Sequence, residues 1–460
     1  MDVNASRRRA VLTLVVAFIS NGYSARAAVS ITATPASALL DQHIGIQISG
    51  LSPNTAVRVR AMSQAQDALW WRSEALFVAD SLGQIDLDHD ASQSGSYVGI
   101  DGMGLFWSMR PDEDPKHADH SAQAIQDFSK PLITQIQVAD GRGEIASTSV
   151  ERRYSSGGVR SRAANGEIAA TLYLDNQGLP LPGVLVIGGS DGGPGAPEVA
   201  MLLASHGFAA LSLSYFGDIG LPQTLENVPL EYFQKALLWM RSQPDINPRS
   251  IAIYAESRGT EAALFTAAND PNVTAVVARS PSFTFWSGIT KSHLPGKAPW
   301  TYRGEPQPYV ANTLYPDFIL TYLWDRMTGK PVRQTPLFQE DLQHATDQET
   351  ISIPVELIHG PILLLAGADD QIWPSKMMAE RIMARLRSHG HAYHDQSLTF
   401  AQVGHSIPYV YLPTRGNWQD SAFAIGGTPE GMASAQTSAW PQILKFLLDA
   451  ADPCCYRAKQ

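Results

Sequence analysis

Residues 251–268, IAIYAESRGTEAALFTAA, contain the pattern on which the fold prediction depends. The apolar run at 251–254 is typical of a buried strand, and residues 261–268 have the composition of a helix. The pentapeptide AESRG between them fits a nucleophile elbow, in which a strained turn lifts the hydroxyl of Ser257 above the sheet. Alanine replaces the first glycine of the usual G-x-S-x-G pattern. Taken by itself, the pentapeptide also fits an ordinary surface serine.

The same alternation of predicted strands and helices continues on both sides of this segment. Largely apolar runs lie at 184–187, 209–213, 273–278 and 362–365, each followed by turn or helix residues. Such strands alternating with helices indicate a mostly parallel sheet with helices on both faces. We therefore predict an α/β domain over residues 166–455.

The rest of the chain divides into regions of different pattern. Short segments of alternating apolar and polar residues, separated by turns, predict a small antiparallel β-sandwich over residues 28–145. A stretch rich in glycine, serine and arginine predicts a connector at 146–165. An aromatic-rich insertion at 281–350 interrupts the α/β domain. It either covers a pocket as a lid or only adds packing.

The N-terminal segment has the pattern of an export signal. Three arginines at 7–9 precede an apolar run at 10–19, and residues 25–27 supply a small-x-small cleavage pattern. This predicts a signal peptide over residues 1–27, of the general or twin-arginine type, and a periplasmic or secreted protein. The alternative is a buried N-terminal helix. No later apolar segment is long enough to span a membrane, so no stable membrane anchor is expected.

Composition restricts the class of partner. The chain has 460 residues and a formal net charge of −10, without a basic stripe, which argues against nucleic acid. His389, His391 and His394 lie close together in the chain, but a solvated loop is favoured over a metal site. No metal is expected.

Two later turns complete the pattern of a hydrolase triad. A serine is a weak nucleophile until a histidine removes its proton, and a carboxylate must hold that histidine in the right tautomer. Asp369 and Asp370 follow the apolar run at 362–365, and His405 follows the next predicted strand. The order Ser, acid, His is that of α/β-hydrolases. We predict the triad Ser257, Asp370 and His405, with Asp369 as the alternative acid.

The glycine-rich turn at 188–193 follows the first long strand of the α/β domain. It lacks the G-x-G-x-x-G spacing and the lysine of nucleotide-binding loops, so no cofactor site is expected there. Instead, a backbone N–H near Ser190 is predicted to form one donor of an oxyanion hole. The second donor is the backbone N–H of Arg258, the residue after the predicted nucleophile.

Eight stretches, spread over nearly the whole mature chain, are similar in residues and order to segments of one known family. They are 35–53, 95–107, GGSDGG at 188–193, SYFG at 214–217, PLEYF at 229–233, SRGTE at 257–261, GPILLL at 360–365 and GH at 404–405. Together they resemble the acyl-CoA thioesterase and bile acid-CoA:amino acid N-acyltransferase family. The resemblance implies a β-sandwich before an α/β-hydrolase domain, and a triad that maps onto Ser257, Asp370 and His405.

The resemblance also implies an enzyme whose small-molecule substrate is an acyl thioester. Family members that transfer acyl groups to amino acids carry a cysteine nucleophile, whereas this chain has Ser257. A serine acyl-enzyme is an oxyester, which reacts with amines less readily than a thioester does. The expected reaction is therefore hydrolysis of acyl-CoA to a fatty acid and CoA through an acyl-Ser257 intermediate.

The predicted export signal conflicts with a CoA substrate, because CoA is a cytoplasmic or organellar metabolite. An exported carboxylesterase is therefore the alternative, and a non-catalytic binding protein on the same fold is a further one. Recognition of CoA would require cations for its phosphates. Six basic residues of the insertion either supply them or are solvated lid charges: Lys291, Lys297, Arg303, Arg326, Lys330 and Arg333.

Overall fold

The computed structural model describes residues 28–451, except 65–69, 113–126, 176–177, 179, 293, 346–348, 406–410 and 415–422. The predicted signal peptide at 1–27 lies outside the described residues. Within the described ranges, no helix combines the length and apolar character needed to cross a bilayer.

The N-terminal region consists of two sheets that share one core. Its elements are β1 (Ser30–Thr34), β2 (Ser37–Leu39), β3 (Gly45–Ser49), β4 (Ala56–Gln64), β5 (Trp70–Val78), β6 (Ile85–Asp86), β7 (Ser94–Gly95), α1 (Gly104–Trp107), β8 (Arg110–Pro111), β9 (Leu132–Asp140) and β10 (Gly143–Arg153). One sheet has the order β1-β3-β6 and the other β2-β10-β9-β4-β5-β7, with β8 beside β5. Alternate residues of β4, such as Val57 and Val59, are buried in the shared core. The expected β-sandwich is confirmed.

The C-terminal region is built around one large sheet. Its elements are β11 (Val159–Ala163), β12 (Ala170–Asp175), β13 (Leu181–Ile187), α2 (Pro197–Ser205), β14 (Ala209–Leu213), β15 (Val228–Pro229), α3 (Glu231–Arg241), β16 (Ile246–Glu256), α4 (Gly259–Ala268), β17 (Val273–Arg279), β18 (Trp300–Tyr302), β19 (Glu305–Pro306), α5 (Pro316–Met327), α6 (Thr335–His344), a 3₁₀ turn (Val355–Leu357), β20 (Ile362–Gly367), α7 (Ser375–Ser388), β21 (Gln396–Phe400) and α8 (Pro429–Ala451). The eight strands of this sheet have the order β11-β12-β14-β13-β16-β17-β20-β21. β12 pairs antiparallel with both neighbours, and the pairs from β14 to β21 are parallel.

Helices cover both faces of this sheet, which explains the largely apolar runs in its strands. Leu185 and Ile187 of β13 belong to a core that includes residues of α3, α4 and α7. Val184 and Val186 of the same strand face the opposite core, which includes residues of α2 and α8. The predicted α/β-hydrolase fold is confirmed.

The predicted connector at 146–165 is wrong for most of its length. Residues 146–153 continue β10, which pairs with β9 in the sandwich, and β11 is the outer strand of the large sheet. Only residues 154–158 link the two sheets. Most residues of β11 are exposed, so the strand lacks the apolar run by which a buried strand is recognised in sequence.

The aromatic-rich insertion leaves the sheet after β17 and returns at β20. Trp286 and Trp300 are fully buried and belong to the core beneath the sheet. Helix α5, in contrast, has no buried residue. Part of the insertion therefore completes the core of the α/β domain.

The sandwich contacts the segment of the α/β domain that follows His405. The N–H of Thr414 donates to the carbonyl of Trp107 at 2.8 Å. Arg152 Nη1 donates to the carbonyl of Tyr411 at 2.7 Å. The N-terminal region thus holds residues 411–414, which begin six positions after the predicted catalytic histidine.

His391 joins segments that precede the last two strands of the large sheet. Its Nδ1 lies 2.7 Å from Asp395 Oδ2 and its Nε2 lies 2.8 Å from the Ile358 carbonyl, so the protonated ring donates to both acceptors. Asp395 Oδ1 accepts the N–H of Ile362, the first residue of β20, at 3.0 Å. Burial opposes the charge on the imidazole, but the bonds to the carboxylate and the carbonyl outweigh it and raise the pKa of His391.

We expect the stability that His391 contributes to depend on pH. Because the pKa is raised in the folded state, the contribution is fully present below the unfolded pKa of about 6.5 and is lost as pH rises through the folded value. His391→Gln should lower the free energy of unfolding by about 1–3 kcal/mol at low pH, with a smaller loss at high pH. Urea unfolding of both proteins between pH 5 and 9 measures this gap. His389→Gln, at an exposed histidine, is the control, and a gap that does not change with pH would contradict the prediction.

Candidate active site

The predicted nucleophile lies in a sharp turn between β16 and α4. Ser257 has φ +49°, a left-handed conformation that is strained for a residue with a side chain. Gly259 begins α4, and a Cβ there would lie 2.2 Å from the carbonyl oxygen of Gly188. Glycine is therefore required at this position for the helix to approach the end of β13. Ala255, in place of the usual first glycine, is fully buried within β16.

Three side chains from three strand ends form one hydrogen-bonded chain. Ser257 Oγ lies 2.8 Å from His405 Nε2. His405 Nδ1 lies 3.0 Å from Asp370 Oδ2 and 3.1 Å from Oδ1. The Asp370 side chain is 1% exposed and that of His405 15% exposed, so the imidazole separates the buried carboxylate from the more accessible serine. The structure brings together all three residues of the predicted triad.

The two adjacent aspartates have different partners. Asp370 Oδ1 also accepts the N–H groups of Ile372 and Trp373, at 3.0 and 3.2 Å, which fix the carboxylate below the imidazole. Asp369 instead accepts the N–H of Gly427 at 2.8 Å and the side-chain amide of Gln371 at 3.1 Å. Asp370, not the alternative Asp369, is the carboxylate that His405 contacts.

The histidine is held by groups that the sequence did not indicate. The N–H of His405 donates to the carbonyl of Ile425 at 2.9 Å. Ser280 Oγ donates to the His405 carbonyl. The Trp373 ring packs edge-on against the imidazole, with 5.4 Å between ring centroids. Of these groups, only Trp373 could have been noticed in the sequence, because it is an aromatic residue three positions after Asp370.

The two predicted oxyanion donors belong to segments that adjoin the serine. Arg258 immediately precedes α4, so its backbone N–H has no acceptor within the helix. Gly189 lies against the nucleophile, since a Cβ built there would be 3.2 Å from Ser257 Cβ. Ser190, the next residue, is exposed.

The side chain of Arg258 points away from the site and is buried. Its Nε lies 3.1 Å from Glu261 Oε1, and its Nη2 donates to the Trp286 carbonyl at 3.0 Å. Glu261 Oε2 accepts the indole N–H of Trp300 at 2.7 Å. Burial lowers the pKa of Arg258 and raises that of Glu261. This pair ties the insertion to the helix that follows the nucleophile.

Comparison with known families assigns both regions of the chain. The family model for the BAAT / acyl-CoA thioester hydrolase C terminal matches residues 228–452. The model for the acyl-CoA thioester hydrolase/BAAT N-terminal region matches residues 41–165. Acyl-coenzyme A thioesterase 6 of Mus musculus is 30% identical over 424 residues, which cover 88% of this chain and 93% of that protein. The chain belongs to the BAAT/acyl-CoA thioester hydrolase family.

Relatives with two different activities match this family member to a similar degree. Acyl-coenzyme A amino acid N-acyltransferase 1 of Mus musculus is 29% identical, covering 91% of this chain and 97% of that protein. Mitochondrial acyl-coenzyme A thioesterase 2 of Homo sapiens is also 29% identical, covering 88% of this chain and 81% of that protein. Overall identity therefore does not separate hydrolysis from transfer.

Among solved structures, the chain is similar to a dienelactone hydrolase-like promiscuous phosphotriesterase from metagenomic libraries. The TM-score is 0.40 with 16% identity, covering 64% of this chain and 100% of that chain. A dienelactone hydrolase of Klebsiella pneumoniae gives a TM-score of 0.38 with 15% identity, covering 63% and 98%.

No cluster of three or more His, Cys, Asp or Glu suited to a metal ion occurs within the described part of this family member.

The six basic residues of the insertion are all exposed, and none forms an ion pair with another described residue. Along the chain, Arg333 is the closest of them to the turn that carries Asp370. Its neighbour Gln334 donates its N–H to the Gln371 carbonyl at 2.8 Å, and Thr335 Oγ1 donates to the Asp370 carbonyl at 2.6 Å.

The different partners of the two aspartates lead to opposite expectations for their amide variants. Asp370→Asn should lower kcat by about 10⁴-fold, because an amide does not hold the imidazole in the tautomer that accepts the serine proton. Asp369→Asn, the matched control, should keep kcat near the wild-type value while losing about 1–3 kcal/mol of stability. Steady-state kinetics and chemical denaturation of both variants test this. The reverse pattern of activities would assign the acid to Asp369.

Proposed function

We propose that the protein is a serine-dependent acyl-CoA thioester hydrolase. The observation that carries the proposal is the hydrogen-bonded chain from Ser257 through His405 to Asp370, in a member of a family that contains acyl-CoA thioesterases. The strained serine turn and the buried carboxylate support a nucleophilic role for this chain of groups. Acyl-CoA is accordingly the proposed substrate.

In the first half of the reaction, His405 Nε2 takes the proton of Ser257 as the serine oxygen attacks the thioester carbonyl. Asp370 holds the Nδ1–H tautomer and stabilises the imidazolium that forms. The backbone N–H groups of Arg258 and Ser190 would receive the developing oxyanion. The C–S bond then breaks, and His405 returns the proton to the departing CoA sulfur, which leaves acyl-Ser257.

In the second half, water takes the place of CoA. His405 removes a proton from the water, whose oxygen attacks the ester carbonyl, and the proton then passes to Ser257 as the fatty acid leaves. We propose hydrolysis rather than transfer to an amino acid, because the intermediate on Ser257 is an oxyester. Oxyesters are less reactive towards amines than the thioesters formed by a cysteine nucleophile.

An exported carboxylesterase is the second candidate. The observation that favours it is the signal-like sequence at residues 1–27, which we propose directs the protein out of the cytoplasm. The same triad would cleave an alcohol ester by the same two steps. A binding protein that kept the fold without the chemistry is the remaining alternative, and it differs in having no activated serine.

We expect Ser257→Ala to lower turnover by about 10⁶-fold, as loss of a triad serine does elsewhere. A fluorophosphonate probe should label the wild-type protein and not this variant, because only an activated serine reacts. Ser388→Ala, at an exposed serine on α7, is the matched control and should retain both labelling and activity. Near-wild-type activity of Ser257→Ala would contradict the proposal, and a wild-type protein that neither labels nor turns over acyl thioesters would favour the binding protein.

The negative charge of CoA allows a test of which leaving group the enzyme recognises. If exposed cations bind its phosphates, kcat/KM for acyl-CoA should exceed that for the same acyl group on N-acetylcysteamine, and should fall with added salt. Arg333→Gln should lower kcat/KM for acyl-CoA by about 2- to 5-fold, as expected for one exposed charge pair, and leave the shorter thioester unaffected. Lys445→Gln, on the exposed side of α8, is the control. Equal values for both substrates, independent of salt, would favour the carboxylesterase.

A further inference from the structure

Tyr215 connects the end of β14 to the glycine-rich turn beside the nucleophile. Its hydroxyl donates to the Gly189 carbonyl at 2.5 Å, with the Gly188 carbonyl at 3.2 Å as a second acceptor. The side chain is 2% exposed. The triad reaction described above makes no use of this residue.

The peptide group that Tyr215 contacts is the one that carries a proposed oxyanion donor. The Gly189 carbonyl and the Ser190 N–H belong to the same peptide unit, which is planar and trans, so the two groups point in opposite directions. A hydroxyl that fixes the carbonyl on one side therefore fixes the N–H on the other. A Cβ built on Gly189 would lie 3.2 Å from Ser257 Cβ, so this peptide group lies beside the nucleophile.

We infer that Tyr215 is a positioning residue for the oxyanion hole: its hydroxyl holds the Gly189–Ser190 peptide so that the Ser190 N–H faces the reacting carbonyl. The inference rests on the proposed function, because it assigns this N–H to the stabilisation of the tetrahedral intermediate. Donation to the carbonyl also polarises the peptide group, which makes its N–H a stronger donor.

The surroundings of Tyr215 suit this role. Its ring packs against Phe216, Phe233 and Trp300, with centroids 5.0, 5.4 and 5.7 Å away, so the hydroxyl has a fixed position. Burial raises the pKa of Tyr215 well above its ordinary value, which keeps the hydroxyl a neutral donor throughout the working range of pH. A second bond, from the Gly193 N–H to the Phe216 carbonyl at 2.8 Å, ties the far end of the same turn.

The direct test is Tyr215→Phe, which removes the hydroxyl and keeps the ring. We expect kcat to fall about tenfold or more, but by less than the ~10²–10³-fold that follows outright loss of an oxyanion donor. KM should stay within about twofold, because the ground-state carbonyl depends on this N–H less than the oxyanion does. Tyr97→Phe is the matched control: Tyr97 is a buried tyrosine of the sandwich whose hydroxyl has no hydrogen-bond partner among the described residues, so its removal should leave the kinetics unchanged.

A second measurement separates positioning from a general loss of structure. An alkyl trifluoromethyl ketone forms a tetrahedral adduct with an activated serine and places an oxyanion in the hole. Its inhibition constant should rise in Tyr215→Phe by the same factor by which kcat/KM falls, while the melting temperature shows the protein still folded. Unchanged kcat and inhibition constant, or a KM that rises as much as the inhibition constant, would overturn the inference. Fluorophosphonate labelling of wild type and Ser257→Ala tests the proposed function separately, so the two failures are distinguishable.

Discussion

The site depends on a close contact at Gly259, where α4 meets the end of β13. A Cβ at this position would lie 2.2 Å from the Gly188 carbonyl oxygen, so any larger residue would separate the helix from the strand. Because Ser257 lies in the turn just before this contact, the same approach places it beside the glycine-rich turn. The left-handed backbone of Ser257 is held from both sides, by β16 and by α4, and this allows the strain to persist.

Several groups around the serine are held by hydrogen bonds that involve the backbone. Two N–H groups hold the Asp370 carboxylate, and the Ile425 carbonyl holds the backbone of His405. The Tyr215 hydroxyl and the Phe216 carbonyl hold the glycine-rich turn. Groups that are already oriented need no rearrangement when charge develops, which is the physical basis of oxyanion stabilisation.

The regions outside the large sheet are physically coupled to the site. The sandwich residue Arg152 is fully buried, stacks over the Phe106 ring at 4.6 Å and donates to the Tyr411 carbonyl in the segment after His405. On the other side, the buried Arg258–Glu261 pair holds the carbonyl of Trp286 and the indole of Trp300. The sandwich and the insertion therefore contact elements that lead directly into the histidine and the serine turn.

By itself the sequence determined the features that depend on local pattern. Largely apolar runs indicated the covered sheet. The order Ser257, Asp370, His405 at predicted strand ends indicated the triad, because the carboxyl ends of parallel strands meet at one edge. Only the tertiary structure showed that Asp370, and not Asp369, contacts His405. It also showed that residues 146–153 and 159–163 belong to strands of two different sheets. The contacts of Tyr215 and Ser280 with the site were likewise visible only in the folded chain. These outcomes depend on distances between segments far apart in the chain. Local periodicity contains no information about such distances. An exposed edge strand lacks the apolar run that would identify it, and two adjacent aspartates cannot be distinguished by sequence before the fold brings each to its partner.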